Sequence, residues 1–94
     1  MPADKEPEIA VAIKYDQTND QAPRVVAKGM NFRAEAILAL AKEYGIPVMK
    51  NVPLAHALLR VEVGEEIPEE LYDAVAEVLN FIHALQSELE EQKK

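Results

Sequence analysis

In Ile9-Ala10-Val11-Ala12-Ile13-Lys14-Tyr15 the larger apolar residues fall on odd positions, with only Ala or Lys between them. Successive side chains of an extended chain point to opposite faces, so this period of two predicts a half-buried strand. The run Asp16 to Pro23 is polar and turn-rich, and after it Arg24-Val25-Val26-Ala27-Lys28 reads as a second short strand that Gly29 ends, giving a hairpin-like pair. The period then changes. Ile37, Leu40, Ala41 and Tyr44 follow helical spacing, so a helix is predicted over 32–44, with Asn31 as its cap and Gly45 at its end.

Ile46-Pro47-Val48-Met49-Lys50 is apolar and helix-incompatible at Pro47, and reads as a third strand. A strand, helix, strand order favours a parallel pair joined by a right-handed crossover. Val52-Pro53 opens a short helix through Leu54, Ala55, Leu58 and Leu59, closed before Gly64. Pro68 followed by Glu69 and Glu70 starts the last helix, since proline suits the first helical position and acids suit the positive end of the dipole. Leu71, Val75, Val78, Leu79, Ile82 and Leu85 form its apolar stripe, and from Gln86 the residues turn polar, so the helix is expected to project beyond the body and fray. The expected architecture is an α/β (α+β) domain: a small sheet of three to four strands flanked by about three to four helices. Residues 1–8, with two prolines and four charges, read as a flexible arm, 9–85 as the domain and 86–94 as a polar helical tail.

Ninety-four residues leave room for one small core. Ten Lys and Arg against seventeen Asp and Glu give a net charge of −7, which repels phosphate backbones and anionic lipid and argues against nucleic-acid binding. The acids crowd into Glu65-Glu66, Glu69-Glu70 and Glu88, Glu90 and Glu91, read as solvated helix faces. The absence of cysteine removes disulfides, thiol nucleophiles and thiolate zinc sites, and fits a reducing cytoplasm. The N-terminus lacks the apolar core of a signal peptide, and no apolar run approaches the ~20 residues that span a bilayer, so a soluble protein without membrane insertion is expected.

Candidate chemistry is sparse. A hydrolytic site needs a nucleophile, a base and an orienting group, and the stock is Ser87, Thr18, His56 and His83. Neither histidine has the i+3 or i+4 partner that makes a helical metal site, and the glutamates lack a calcium-binding loop. Gly29, Gly45 and Gly64 are isolated, so no phosphate-cradling loop is formed. Tyr15, Phe32, Tyr44, Tyr72 and Phe81 lie at periodic positions that suit packing rather than base stacking. No catalytic residue, metal or cofactor follows from the chain, and surface and shape are left to carry function.

Five blocks in order carry a resemblance: Ala10-Val11-Ala12-Ile13-Lys14-Tyr15-Asp16; Ala22-Pro23 with Val25-Val26-Ala27-Lys28-Gly29; Gly45-Ile46-Pro47-Val48; Pro53-Leu54-Ala55-His56-Ala57-Leu58; and Val63 through Tyr72 with Ala74 to Leu79. Over residues 9 to about 85 the chain resembles the C-terminal cytoplasmic domain of the FlhB/YscU family, the substrate-specificity switches of flagellar and type III export machines. The resemblance implies a small α/β sheet flanked by helices, partners among membrane-embedded FlhB-like and other export-gate proteins, docking of export substrates, and a cytoplasmic protein recruited to the inner-membrane apparatus. Family members cut themselves at an Asn-Pro-Thr-His loop just before the strand that begins here at Ile9, through cyclisation of the Asn side chain. Lys5, Glu6, Pro7 and Glu8 occupy those positions, and no Asn-Pro bond occurs anywhere in the chain, so self-cleavage is not expected. The chain looks like the released C-terminal fragment made as a separate product, without the strand that precedes the loop, which would leave a sheet edge open to a strand from another chain. The family's substrate patch carries over to Ala22, Pro23, Ala76 and Leu79, of which Leu79 also lies on the core stripe. His56 stands where the family usually has Arg, which removes a fixed positive charge. The resemblance thus leads to a non-enzymatic interaction module that substitutes for or modulates the switch domain; the alternative is a regulatory or vestigial paralogue that binds no export substrate.

Overall fold

Alternation along residues 9–14 is realised as β1, Ile9–Lys14, and Arg24–Met30 forms β2. The two pair antiparallel, with Ile9 opposite Met30, Ala10 opposite Gly29 and Lys14 opposite Arg24. The register shifts between Ala12 and Ile13, because Ala12 meets Ala27 while Ile13 meets Val25, leaving Val26 as the extra residue of a bulge. The computed structural model describes residues 7–92 except 17, 19 and 20, with side chains as far as residue 85. Most of the expected N-terminal arm, including Lys5 and Glu6, and the side chains of the 86–94 tail lie outside the described residues.

The sheet is thin-skinned on one face and bulky on the other. Ala10, Ala12, Ala27 and Gly29 share one face by alternation, and α1, Phe32–Glu43, packs there against both strands with Ala34 and Ala41 buried. Small residues on both sides let helix and sheet approach closely. The opposite face presents Val11, Ile13 and Val25 to a core made with Leu54, Leu58, Val61, Ile67 and Val75. Those residues come from α2, Val52–Leu58, from the loop after it, and from α3, Tyr72–Gln92, which follows a 3₁₀ turn at Glu69–Leu71. Leu71, Ala74, Val78 and Leu79 close the cluster. Complete burial of Val25, Leu58, Ile67 and Val75 is worth about 1.5–3 kcal/mol each.

Helix ends follow local chemistry. Gly45 adopts φ 67 after Tyr44, and the Ile46 N–H reaches the Ala41 carbonyl at 2.8 Å while the Gly45 N–H reaches that of Lys42 at 3.3 Å, a Schellman ending. Asn51 caps α2 by accepting from the Leu54 N–H at 3.1 Å. Asn31 does not cap α1 as its position suggested. It sits at φ 52, a left-handed conformation that asparagine tolerates. Its Oδ1 accepts from the Glu8 N–H at 3.2 Å and its own N–H donates to the Glu8 carbonyl at 2.7 Å. The side chain is therefore spent latching the chain that enters β1.

Among the described residues the sheet has two strands, fewer than the three to four expected, and the helices number three plus the 3₁₀ turn. Ile46-Pro47-Val48-Met49-Lys50 forms no strand, and no parallel crossover pair exists among the described residues. A strand needs a neighbour to receive its amide groups, and Pro47 has no N–H to offer. The segment instead runs without regular structure between α1 and α2, with Ile46 and Val48 each 58% exposed.

Close approach of α1 makes Gly29 sensitive. An added Cβ would press on that of Arg33 and come within 3.2 Å and 3.3 Å of the Arg33 carbonyl carbon and Cα. Gly29→Ala is expected to destabilise the protein by about 1–3 kcal/mol, read as a lower urea midpoint at unchanged slope.

Candidate functional site

The two edges of the sheet end differently. Along β2, the Val25 N–H donates to the Glu65 carbonyl at 3.2 Å, the Gly64 N–H to Val25 at 2.7 Å and the Ile67 N–H to Pro23 at 2.8 Å. Arg24 adds a bond from Nη1 to the Gly64 carbonyl at 2.9 Å and a solvent-screened ion pair with Glu66 at 3.4 Å. Residues 64–67 thus cover the start of this edge, at residues 23–25, and no backbone bond beyond Val25 is made to it among the described residues. Lys28 projects onto the core face and donates from Nζ to the Leu59 and Val61 carbonyls, both at 2.8 Å, so it satisfies the end of α2.

On the other side of the sheet β1 pairs with nothing among the described residues. α1 and α2 both pack on β1, and the segment 46–50 links them. Apart from Ile46 its backbone groups make no bond to other described backbone, and its apolar side chains stay largely in solvent. An unpaired strand edge offers amide groups, and the exposed segment offers apolar surface, both of which an incoming strand can use.

The four residues carried over as a substrate patch occupy unequal environments. Ala22 is 2% exposed and Pro23 is half-buried, with its carbonyl bonded to Ile67. Leu79 is half-buried and packs on the cluster that holds Val25, Ile67 and Val75, while Ala76, one residue past Val75, faces solvent. Ile67 bonds to Pro23 and belongs to the cluster on which Leu79 packs. Ala76 is the member fully open to a partner, and Ala22 lies beneath the surface.

Among the described residues the reactive side chains do not converge, and the Ser87 side chain lies outside them. His56 and His83 are exposed on α2 and α3, and the Thr18 N–H donates to Asp16 Oδ1 at 2.9 Å in a turn. Among the described residues no three His, Cys, Asp or Glu side chains are grouped to hold a metal ion, and no helix is long and apolar enough to cross a membrane. A shallow depression lined by His56, Ala57, Leu59 and Arg60 is open to solvent. Of the degenerate cleavage-loop positions, Pro7 and Glu8 are described, and both are exposed ahead of β1. Sequence reasoning did not anticipate the covering of β2 by 64–67, because nothing in Val63-Gly64-Glu65-Glu66-Ile67 alternates as a strand does.

Comparison with known proteins agrees with this geometry. The model of the FlhB HrpN YscU SpaS family matches residues 7–82. The chain is 38% identical over 84 residues to the uncharacterized protein YlqH of Bacillus subtilis (strain 168), covering 89% of this chain and 90% of that one. It is 47% identical over 75 residues to the flagellar biosynthetic protein FlhB of Aquifex aeolicus (strain VF5), covering 79% of this chain but 21% of the relative, so it spans about a fifth of that protein's length. The crystal structure of the cytoplasmic domain of FlhB from Shewanella putrefaciens superposes with a TM-score of 0.86 at 38% identity, covering 89% of this chain and 66% of that one.

Burial separates two patch residues that look alike in sequence. Ala22→Glu forces an unpaired carboxylate into the interior and should cost more than about 3 kcal/mol. Ala76→Glu should change stability by less than about 0.5 kcal/mol; parallel urea denaturation of the two variants measures both.

Proposed function

The chain belongs to the FlhB HrpN YscU SpaS family, and from that premise we propose that it is a non-enzymatic docking module of a flagellar or type III protein export apparatus, substituting for or modulating the cytoplasmic switch domain of an FlhB-like protein. The observation that carries this reading is the free edge of β1, together with the unbonded, exposed segment 46–50. A two-stranded sheet gains main-chain hydrogen bonds and covers apolar surface when a third strand is added. The natural donor is the strand that precedes the cleavage loop of a membrane-embedded FlhB-like component, which brings the domain from the cytoplasm to the export gate. The mechanism asks for no bond to be made or broken. Each Asn of the chain is followed by Asp, Phe or Val, so the residue pair that self-cleavage requires does not occur.

Export substrates are proposed to dock on the rim formed by Pro23, Ala76 and Leu79, with Ala22 supporting the turn from below. Burial of Ala22 favours a second reading, in which the protein occupies the gate as a regulator and binds no substrate.

Co-purification of the full chain with a membrane half of FlhB truncated at its cleavage loop tests the leading reading, and a complex is expected. Val48→Pro removes an N–H that holds no bond in the free domain, so it should abolish that complex while leaving the urea midpoint unchanged. Absence of any complex with the unmodified chain overturns the docking role. The two readings part on Ala76→Glu: loss of export-substrate binding in pull-downs, with gate binding intact, supports the substrate rim, and no substrate binding by the unmodified chain supports the regulator.

A further inference from the structure

Past the last residue that packs on the core, α3 stays apolar on one side. Val75 is buried in the core cluster, and Val78 and Leu79 pack on it. Ile82 and Leu85 carry the stripe on from Val78 by steps of four and three, and Leu89 follows four further along the sequence. At 100° per residue, Phe81, Leu85, Val78 and Ile82 fall within one arc of about 100° that contains no charged position of the helix. Phe81 is 47% exposed and Leu85 37%, and neither belongs to the core cluster. Steps of four and three are the spacing by which two helices interlock their side chains, and contiguous exposed apolar surface marks an interaction site.

Charge selects what can lie there. Between Arg60 and Lys93 stand ten Asp and Glu and no Lys or Arg, whereas residues 1–60 hold eight basic and seven acidic residues. On α3 itself, Glu77 and Glu88 take helical positions about 40° and 20° beyond Phe81, and Glu90 one about 80° beyond Ile82 on the other side. A second copy would bring only further acids to these flanks, and nucleic acid or anionic lipid would be repelled. We propose that the stretch of α3 from Val78 onward seats a basic amphipathic helix of a partner protein. Its Leu, Ile or Val stripe would cover Phe81, Ile82 and Leu85, and Lys or Arg along both its edges would face the acids. About 20 Å of α3, from Val78 to Gln92, is available for the contact, which places it in the small, transient class. The surface lies on a different element from the β1 edge and does not depend on the role proposed for that edge.

A synthetic, fluorescein-labelled peptide of three heptads, with Ile and Leu on its stripe and Lys on both flanks, serves as the probe. Its anisotropy is followed as the full chain is added up to ~1 mM, at ~50 mM and ~200 mM salt. Saturable binding that weakens at the higher salt is expected, and the same peptide with Glu in place of Lys should not bind. Phe81→Glu and Leu85→Glu should each weaken binding about tenfold or more. Each adds an acid, so attraction by charge alone would be unchanged or stronger in these variants, and the direction of the change separates the two causes. Glu77→Lys should weaken binding about threefold and flatten its salt dependence. Phe81, Leu85 and Glu77 are exposed, and an unchanged urea midpoint verifies that each variant folds. No binding by the unmodified chain, equal binding of the acidic peptide, or undiminished binding by both glutamate variants overturns the proposal. Self-association of the chain that Leu85→Glu abolishes would give the face to a second copy and overturn it as well.

Discussion

Val25 is the point at which the sheet, the loop and the last helix become one body. Its side chain is fully buried against Leu58, Ile67 and Val75, while its N–H and carbonyl hold the chain at Glu65 and Gly64. Two strands alone are marginal in water, so the hairpin persists because α1 covers one face and this cluster the other. The bulge at Val26 lets Val25 face inward beside Ile13 while Ala27 and Gly29 turn to α1. A residue slipped by one would put valine under the helix and alanine in the core.

Polar residues serve the same body. Lys28 sits among apolar neighbours on the core face because its amine satisfies two carbonyls at the end of α2. Asn31 joins the entry of β1 to the exit of β2 through two bonds with Glu8, which fixes where the hairpin opens. The part-buried Lys28 bonds replace water at carbonyls that packing would otherwise leave without partners.

The proposed function rests on the difference between the two edges of the sheet. Residues 64–67 cover only the start of the β2 edge, while β1 and the segment that connects α1 to α2 have no such cover among the described residues. A surface built this way leaves backbone groups free for another chain. That agrees with a family whose relatives include proteins of the export apparatus, and with a chain whose reactive side chains are scattered.

Two strands, the three helices and the end of α1 were legible in the residues, because alternation, helical spacing and Gly45 act within a few positions of one another; β2 runs on through Gly29 to Met30, and Pro68 precedes a 3₁₀ turn, so the last helix begins only at Tyr72. So was the family, since five blocks stand in order over most of the chain. Asn31 misled because its side chain answers to Glu8, 23 positions away. The segment 46–50 has the composition of a strand, but composition cannot supply a neighbour, and strand formation is a property of two segments together. Ala22 and Ala76 are the same residue type, and their opposite exposure depends on which elements close over them. Periodicity and local chemistry therefore determined the elements; which edge is covered, which alanine is buried and which face of α1 lies bare were decided only when distant segments packed, because burial and pairing are relations between residues far apart in the chain.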